Sequence, residues 1–145
     1  MNIGIIGAGF VGRAIAKLAI GQGHRVMLSN SRGPRTLFSL RAMLGCDTGT
    51  VEQAAGFGDV NVIAVPLSAL GSLPVAHLKG KWIFDAVNYY PERDGKVAAL
   101  EDRQTTTSEL LASYLPEAKI IKAFNAIPMT DLESDGLPTG APALC

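Results

Sequence analysis

At 145 residues with a hydrophobic fraction of 48%, the chain is long enough for one domain with a core on both faces of a sheet, and too short for two ordinary domains. Thirteen Lys and Arg balance thirteen Asp and Glu, so net charge argues against nucleic acid or a membrane surface as partner. Cys46 and Cys145 are far apart without a C-x-x-C pair, and His24 and His77 stand alone, which argues against a disulfide framework and against a metal site.

Met1 leads straight into an apolar run at Ile3, Ile5 and Ile6, with no basic leader and no later run of membrane-spanning length, so a cytoplasmic protein is expected. The next stretch places Val11, Ala14, Ile15, Leu18 and Ala19 on one helical face, with Arg13 and Lys17 opposite and Gly21 and Gly23 ending it. A second strand follows over residues 25–29. A helix is predicted over 34–44, ending at Gly45, then a short third strand over 46–48. Thr50 and Gln53 have the spacing of a capping box for a small helix. "VNVIAV" at 60–65 and the run at 82–86 are continuous apolar stretches of strand length, as expected where both faces of a sheet are covered. A polar loop, "NYYPERDGK", separates them from a helix opened by "TTTSE" and carrying Leu110, Leu111, Tyr114 and Leu115. A sixth run occupies 119–124, after which the pattern stops. Strands alternating with helices predict an α/β domain with a mostly parallel sheet of six strands.

Two short stretches carry the chemistry. "GAGFVG" places Gly7, Gly9 and Gly12 in a G-x-G-x-x-G turn between strand and helix: the first glycine for the tight turn, the second for approach of a pyrophosphate, the third for close packing of helix on strand. The free N–H groups at that helix start suit phosphate. About 20 residues further on, such folds carry a carboxylate for a ribose 2′-hydroxyl, and here the chain reads "LSNSRG". A carboxylate would repel a 2′-phosphate. Arg32, with Ser29, Asn30 and Ser31 as short donors, would hold one, and Gly33 lets the backbone come close. NADP is therefore the expected cofactor, with Arg35 a further positive charge nearby.

Taken together, "NIGIIGAGFVGRAIAKLAIGQGH", "LSNSRGP", "VIAVP", "DAVNYYPERDG" and "TSELLASYLPEAKIIKAFN" resemble the NADP-binding part of the NADPH-dependent reductases of the deazaflavin coenzyme F420. The resemblance runs from Met1 to about Asn125. It implies a Rossmann-type, doubly wound domain, NADP on the glycine turn, and hydride exchange between NADP(H) and coenzyme F420 as small-molecule acceptor. By position, Gly9, Phe10 and Val11 would line the pyrophosphate, Ser31 and Arg32 the 2′-phosphate, and Val65, Pro66 and Leu67 the nicotinamide side. Asn88 falls where the family often has asparagine followed by proline, and here Tyr89 follows. Family members continue past the last strand with elements that help build the deazaflavin pocket. The expected division is thus an NADP-binding domain over 1–125 and an irregular tail over 126–145, with a shallow acceptor pocket that a second subunit of a homodimer would cover.

No catalytic acid or base is assigned. Hydride transfer needs mainly that two rings be positioned, and the chain has neither a Tyr-x-x-x-Lys pair nor a compelling Ser-His-Asp set. Asp85, ending a strand, is expected to anchor a loop, and Asn125 to face a pocket. Strand order 3-2-1-4-5-6 is expected. A non-catalytic NADP-binding module and a short relative of the β-hydroxyacid dehydrogenases are the alternative readings.

Overall fold

The computed structural model describes residues 1–128 and 130–132. Six strands form one parallel sheet: β1 (Asn2–Ile6), β2 (Arg25–Ser29), β3 (Asp47–Gly49), β4 (Val60–Ile63), β5 (Trp82–Asp85) and β6 (Lys119–Lys122). Their order is β3-β2-β1-β4-β5-β6, as expected, with β1 at the centre pairing Ile3 with Val26 on one side and with Val60 on the other. The chain therefore runs outward from β1 in one direction, crosses back and runs outward in the other. That reversal opens a crevice at the carboxyl ends of β1 and β4.

Helices cover both faces, which is why the inner strands are largely apolar, while the edge strands β3 and β6 carry polar residues. On one face α1 (Phe10–Gly21) buries Ala14, Ile15 and Ala16 against Ile5, Val26, Leu28 and Val62. Leu18, expected on the buried side, is 37% exposed, and Ala16 takes its place, because small residues let the helix lie close on the sheet. On the other face α3 (Val51–Phe57) and α7 (Thr107–Tyr114) close a core of Ile6, Ile63, Leu78, Ile83, Val87 and Leu111. Both helices open with a reciprocal capping box. Thr50 accepts from the Gln53 N–H while its own N–H donates to the Gln53 side chain at 2.8 Å, and Thr106 and Glu109 repeat the arrangement.

The helix expected over 34–44 is broken in two. Gly33 has φ +86° and Pro34 fixes the next turn, so the chain makes a 3-10 turn over Pro34–Leu37, buries Leu37, and only then enters α2 (Phe38–Leu44). β3 begins one residue later than expected, and β4, β5 and β6 end two, one and two residues earlier. Residues 67–78, left without an element by the pattern, form a 3-10 turn (Leu67–Ser72) and α4 (Val75–Leu78). The polar loop holds two further single-turn helices, α5 (Pro91–Asp94) and α6 (Ala98–Glu101). Leu132 packs into the core beside α1. The remainder of the expected tail, 133–145, and Cys145 with it, lies outside the described residues. No helix among the described residues is long and apolar enough to cross a membrane.

Candidate functional site

At the carboxyl edge of the sheet the chain leaves β1, β4 and β5 in step. Gly7 N–H donates to Ser29 O, Ala64 N–H to Ile6 O and Ala86 N–H to Ile63 O, each at 2.9–3.0 Å. The three glycines of the first turn meet three different constraints there. Gly7 has φ +115°, and a Cβ on it would stand 2.2 Å from the Ala64 carbonyl oxygen. A Cβ on Gly12 would lie 1.9 Å from the Gly7 carbonyl oxygen, so this glycine sets how closely α1 packs on the turn. Around Gly9 there is open space, with no atom within 4 Å of the position a Cβ would take. Only Gly9 is thus free for something outside the fold. It also precedes a helix whose first turn has no side-chain cap and no acid, which leaves N–H groups for an anion.

A cavity of about 260 Å³ lies in front of this turn. Ile6, Gly7, Ala8 and Gly9 form one side, Asn30, Ser31 and Arg32 the second, and Ala64, Val65 and Pro66 the third, with Ala69 and Ser72 of the 3-10 turn, Leu73 just after it and Val51 closing it. Among these residues Arg32 is the one with an ionisable side chain. Its guanidinium and the Ser31 hydroxyl have no hydrogen-bond or ion-pair partner among the described residues, and both residues are exposed. The volume is below that of a pocket enclosing a whole drug-sized ligand, roughly 300–1,000 Å³, so it is too small to enclose a whole dinucleotide. The loops that the family resemblance assigns to the 2′-phosphate and to the nicotinamide side share this one cavity.

Other expected site residues fall elsewhere. Phe10 is 68% exposed and, with Arg13 stacked on its ring at 5.0 Å, borders a separate groove between α1 and α2. That groove is larger, about 570 Å³, yet no strand end and none of the three motif glycines lines it. Val11 packs against the core beneath α1, and Leu67 is buried on the opposite face. Ser29, offered as a phosphate donor, is fully buried and donates to Ile5 O at 3.0 Å, so it is unavailable to a ligand. Asn30 spends its amide within its own loop, accepting from Arg32 N–H and donating to Thr36 Oγ1. Asn88 donates to the Asn125 carbonyl at 3.1 Å, and neither residue lines the cavity. The cavity residues missed were Ile6, Ala8, Val51, Ala64, Ala69, Ser72 and Leu73. The signal available for the last three was "PLSALGSLP", a run bounded by prolines directly after a central strand.

The far half of the same edge is closed by polar bonds. Asp85, fully buried, accepts from Val87 N–H at 2.8 Å, Ser108 Oγ at 2.6 Å and Lys122 Nζ at 3.3 Å, so it anchors the loop after β5 as expected. Lys122 also donates to Val87 O and to Thr107 Oγ1. Asp94 accepts from the Arg93 guanidinium, from Tyr90 N–H and from Ser68 N–H and Oγ. These bonds, that from Arg93 first, hold its carboxyl at about 2.

The balanced net charge conceals a segregation. Every Asp and Glu lies at Asp47 or beyond, while Arg13, Lys17, Arg25, Arg32, Arg35 and Arg41 all precede it. Arg25 stands at the amino end of β2 beside Asp47, whereas Arg32 lines the cavity, where it favours an anionic ligand.

The sequence model of the family described as NADP oxidoreductase, coenzyme F420-dependent, matches residues 2–89. Among curated proteins, the metalloreductase STEAP3 of Rattus norvegicus is 33% identical over 136 residues, which is 92% of this chain and 26% of that protein. The chain thus spans about a quarter of the curated relative it matches. A hypothetical protein of Sinorhizobium meliloti is 29% identical with a TM-score of 0.79, over 93% of this chain and 66% of that one. A proposed F420-dependent NADP reductase of Arthrobacter sp. FB24 shares the fold with a TM-score of 0.80 at 24% identity, over 97% of this chain and 69% of that one.

Proposed function

The chain belongs to the family of coenzyme F420-dependent NADP oxidoreductases, and from that premise we propose that residues 1–125 bind NADP(H) and serve its hydride exchange with a deazaflavin-type acceptor. The observation that carries the cofactor reading is the Ser31 hydroxyl and the Arg32 guanidinium, without partners among the described residues and with no carboxylate among the described residues that line their cavity. A 2′-phosphate needs a guanidinium and a hydroxyl donor, and a 2′-hydroxyl would want an acceptor that is not there. The open space at Gly9 fits a pyrophosphate, and the uncapped start of α1 offers it N–H groups. Val65 and Pro66 supply an apolar wall that keeps water from one side of the cleft.

When bound, NADPH supplies the hydride. The protein's part is positioning and exclusion of solvent, consistent with a cavity that offers no side-chain acid or base. Because the cavity is too small to enclose a whole dinucleotide, the reading includes a homodimer whose second copy covers the acceptor side, in a cytoplasmic setting. The test follows NADPH oxidation at the nicotinamide band with a deazaflavin acceptor, across a protein dilution series with light scattering. Turnover that falls as the dimer dissociates supports the whole reading. Tight NADPH binding without turnover at any concentration leaves an NADP-binding module and rejects the transfer.

A further inference from the structure

We propose that Thr36 is a positioning residue for cofactor choice, acting through Asn30 to hold the Ser31–Arg32 segment in the conformation that receives a 2′-phosphate. This rests on the NADP reading above. The loop from Asn30 to Thr36 is tied internally by side chains. The Asn30 carboxamide accepts from Arg32 N–H at 3.1 Å and donates to Thr36 Oγ1 at 2.9 Å, while the Thr36 hydroxyl donates to Gly33 O at 2.8 Å. Two backbone bonds close the same turn, Gly33 N–H to Asn30 O and Thr36 N–H to Gly33 O.

Three consequences follow from this accounting. Both polar atoms of Asn30 are used, so although it lines the cavity it is a brace in place of a phosphate ligand. The Arg32 N–H is likewise used, which leaves the Arg32 guanidinium and the Ser31 hydroxyl and N–H as the groups of this segment available to an anion among the described residues. Thr36 does not line the cavity, yet its hydroxyl is the point where the brace is fastened to the following 3-10 turn. Fastening the loop beforehand removes an ordering cost that would otherwise fall on ligand binding. The benefit goes only to a ligand that uses Ser31 and Arg32, namely one with a 2′-phosphate. A residue that merely stabilised the fold would affect both dinucleotides alike.

The experiment measures calorimetric dissociation constants for NADP⁺ and NAD⁺ with the unaltered chain, Thr36→Val, Thr36→Ala and Thr36→Ser, each checked by its melting curve. Thr36 is exposed, so the variants are expected to fold. Thr36→Val and Thr36→Ala should weaken NADP⁺ roughly three- to tenfold, the size of a lost neutral hydrogen bond, and leave NAD⁺ unchanged, and Thr36→Ser should restore the original ratio. An unchanged ratio in Thr36→Val and Thr36→Ala, an equal loss for both dinucleotides, or failure of Thr36→Ser to restore the ratio overturns the proposal. If the unaltered chain itself has no preference for NADP⁺, the cofactor reading fails first, and the brace with it.

Discussion

Beyond the end of β2 the Ser31 hydroxyl and the Arg32 guanidinium are exposed and, among the described residues, without partners, whereas at the end of β5 the Asp85 carboxylate is buried and bonded. Arg32 and Asp85 stand at corresponding places, just beyond or at the carboxyl end of a strand, and either residue type could serve a ligand. Their partners separate them. Asp85 accepts three hydrogen bonds and is fully buried, while Arg32 keeps its guanidinium in water with no partner among the described residues. Burial explains the contrast, since a charge removed from water must be paired and one left in it need not be. The open half is therefore where binding is expected, and the closed half holds it in place.

The largest effect should come from breaking the closed half. Asp85→Ala strips Val87 N–H and Ser108 of their acceptor and leaves Lys122 without its carboxylate. The loss of stability should be about 3 kcal/mol, the lower end for a broken buried pair, because Lys122 keeps 31% of its side chain exposed. Denaturant unfolding would measure it, and the NADP⁺ to NAD⁺ affinity ratio should not move. A changed ratio with unchanged stability would reverse the roles given to the two halves.

Breaking the open half should do the opposite. Gly9→Val projects into free space, so the melting temperature should stay put while binding of both dinucleotides is lost. Gly12→Ala, whose new Cβ would meet the Gly7 carbonyl at 1.9 Å, should instead cost stability by roughly 1–3 kcal/mol. Retained affinity in Gly9→Val would move the phosphates away from this turn.

A smaller effect sharpens the contrast through pH. The folded-state value of about 2 for Asp94 lies below its ordinary 3.8. Its bonds therefore contribute stability above about pH 4, and that contribution is lost as pH falls toward and through 2. The melting temperature of Asp94→Asn should lie below that of the unaltered chain at pH 6 and converge with it at acid pH. A gap that persists below pH 2 would detach the effect from the carboxylate.

How much of this could be read from the amino acids depends on the range of the interaction. The inner strands were legible because helices bury most of both faces, which leaves apolar runs, whereas the edge strands β3 and β6 carry polar or exposed residues; the box at Thr50 and Gln53 was legible because it is closed within four residues. The glycine turn was legible for the same reason. A single-turn helix such as α5 has no period to read; it is pinned by Asp94 reaching back to Ser68, 26 residues earlier. Ser29 looked like a ligand because a strand's last serine can face either way, and only the sheet shows it turned to Ile5 O. Asn30 looked like one because its tie to Thr36 crosses a turn that proline splits unexpectedly from the helix behind it.

The central claim, that the exposed Arg32 selects a 2′-phosphate, is tested most directly by calorimetric titration of NADPH and NADH into the unaltered chain and into Arg32→Ala. A charge-assisted hydrogen bond is worth roughly 1.5–3 kcal/mol, so NADPH should bind at least about tenfold more tightly than NADH to the unaltered chain, and Arg32→Ala should remove most of that difference while leaving NADH as it was. Equal affinities in the unaltered chain, or a preference that survives Arg32→Ala intact, would contradict it.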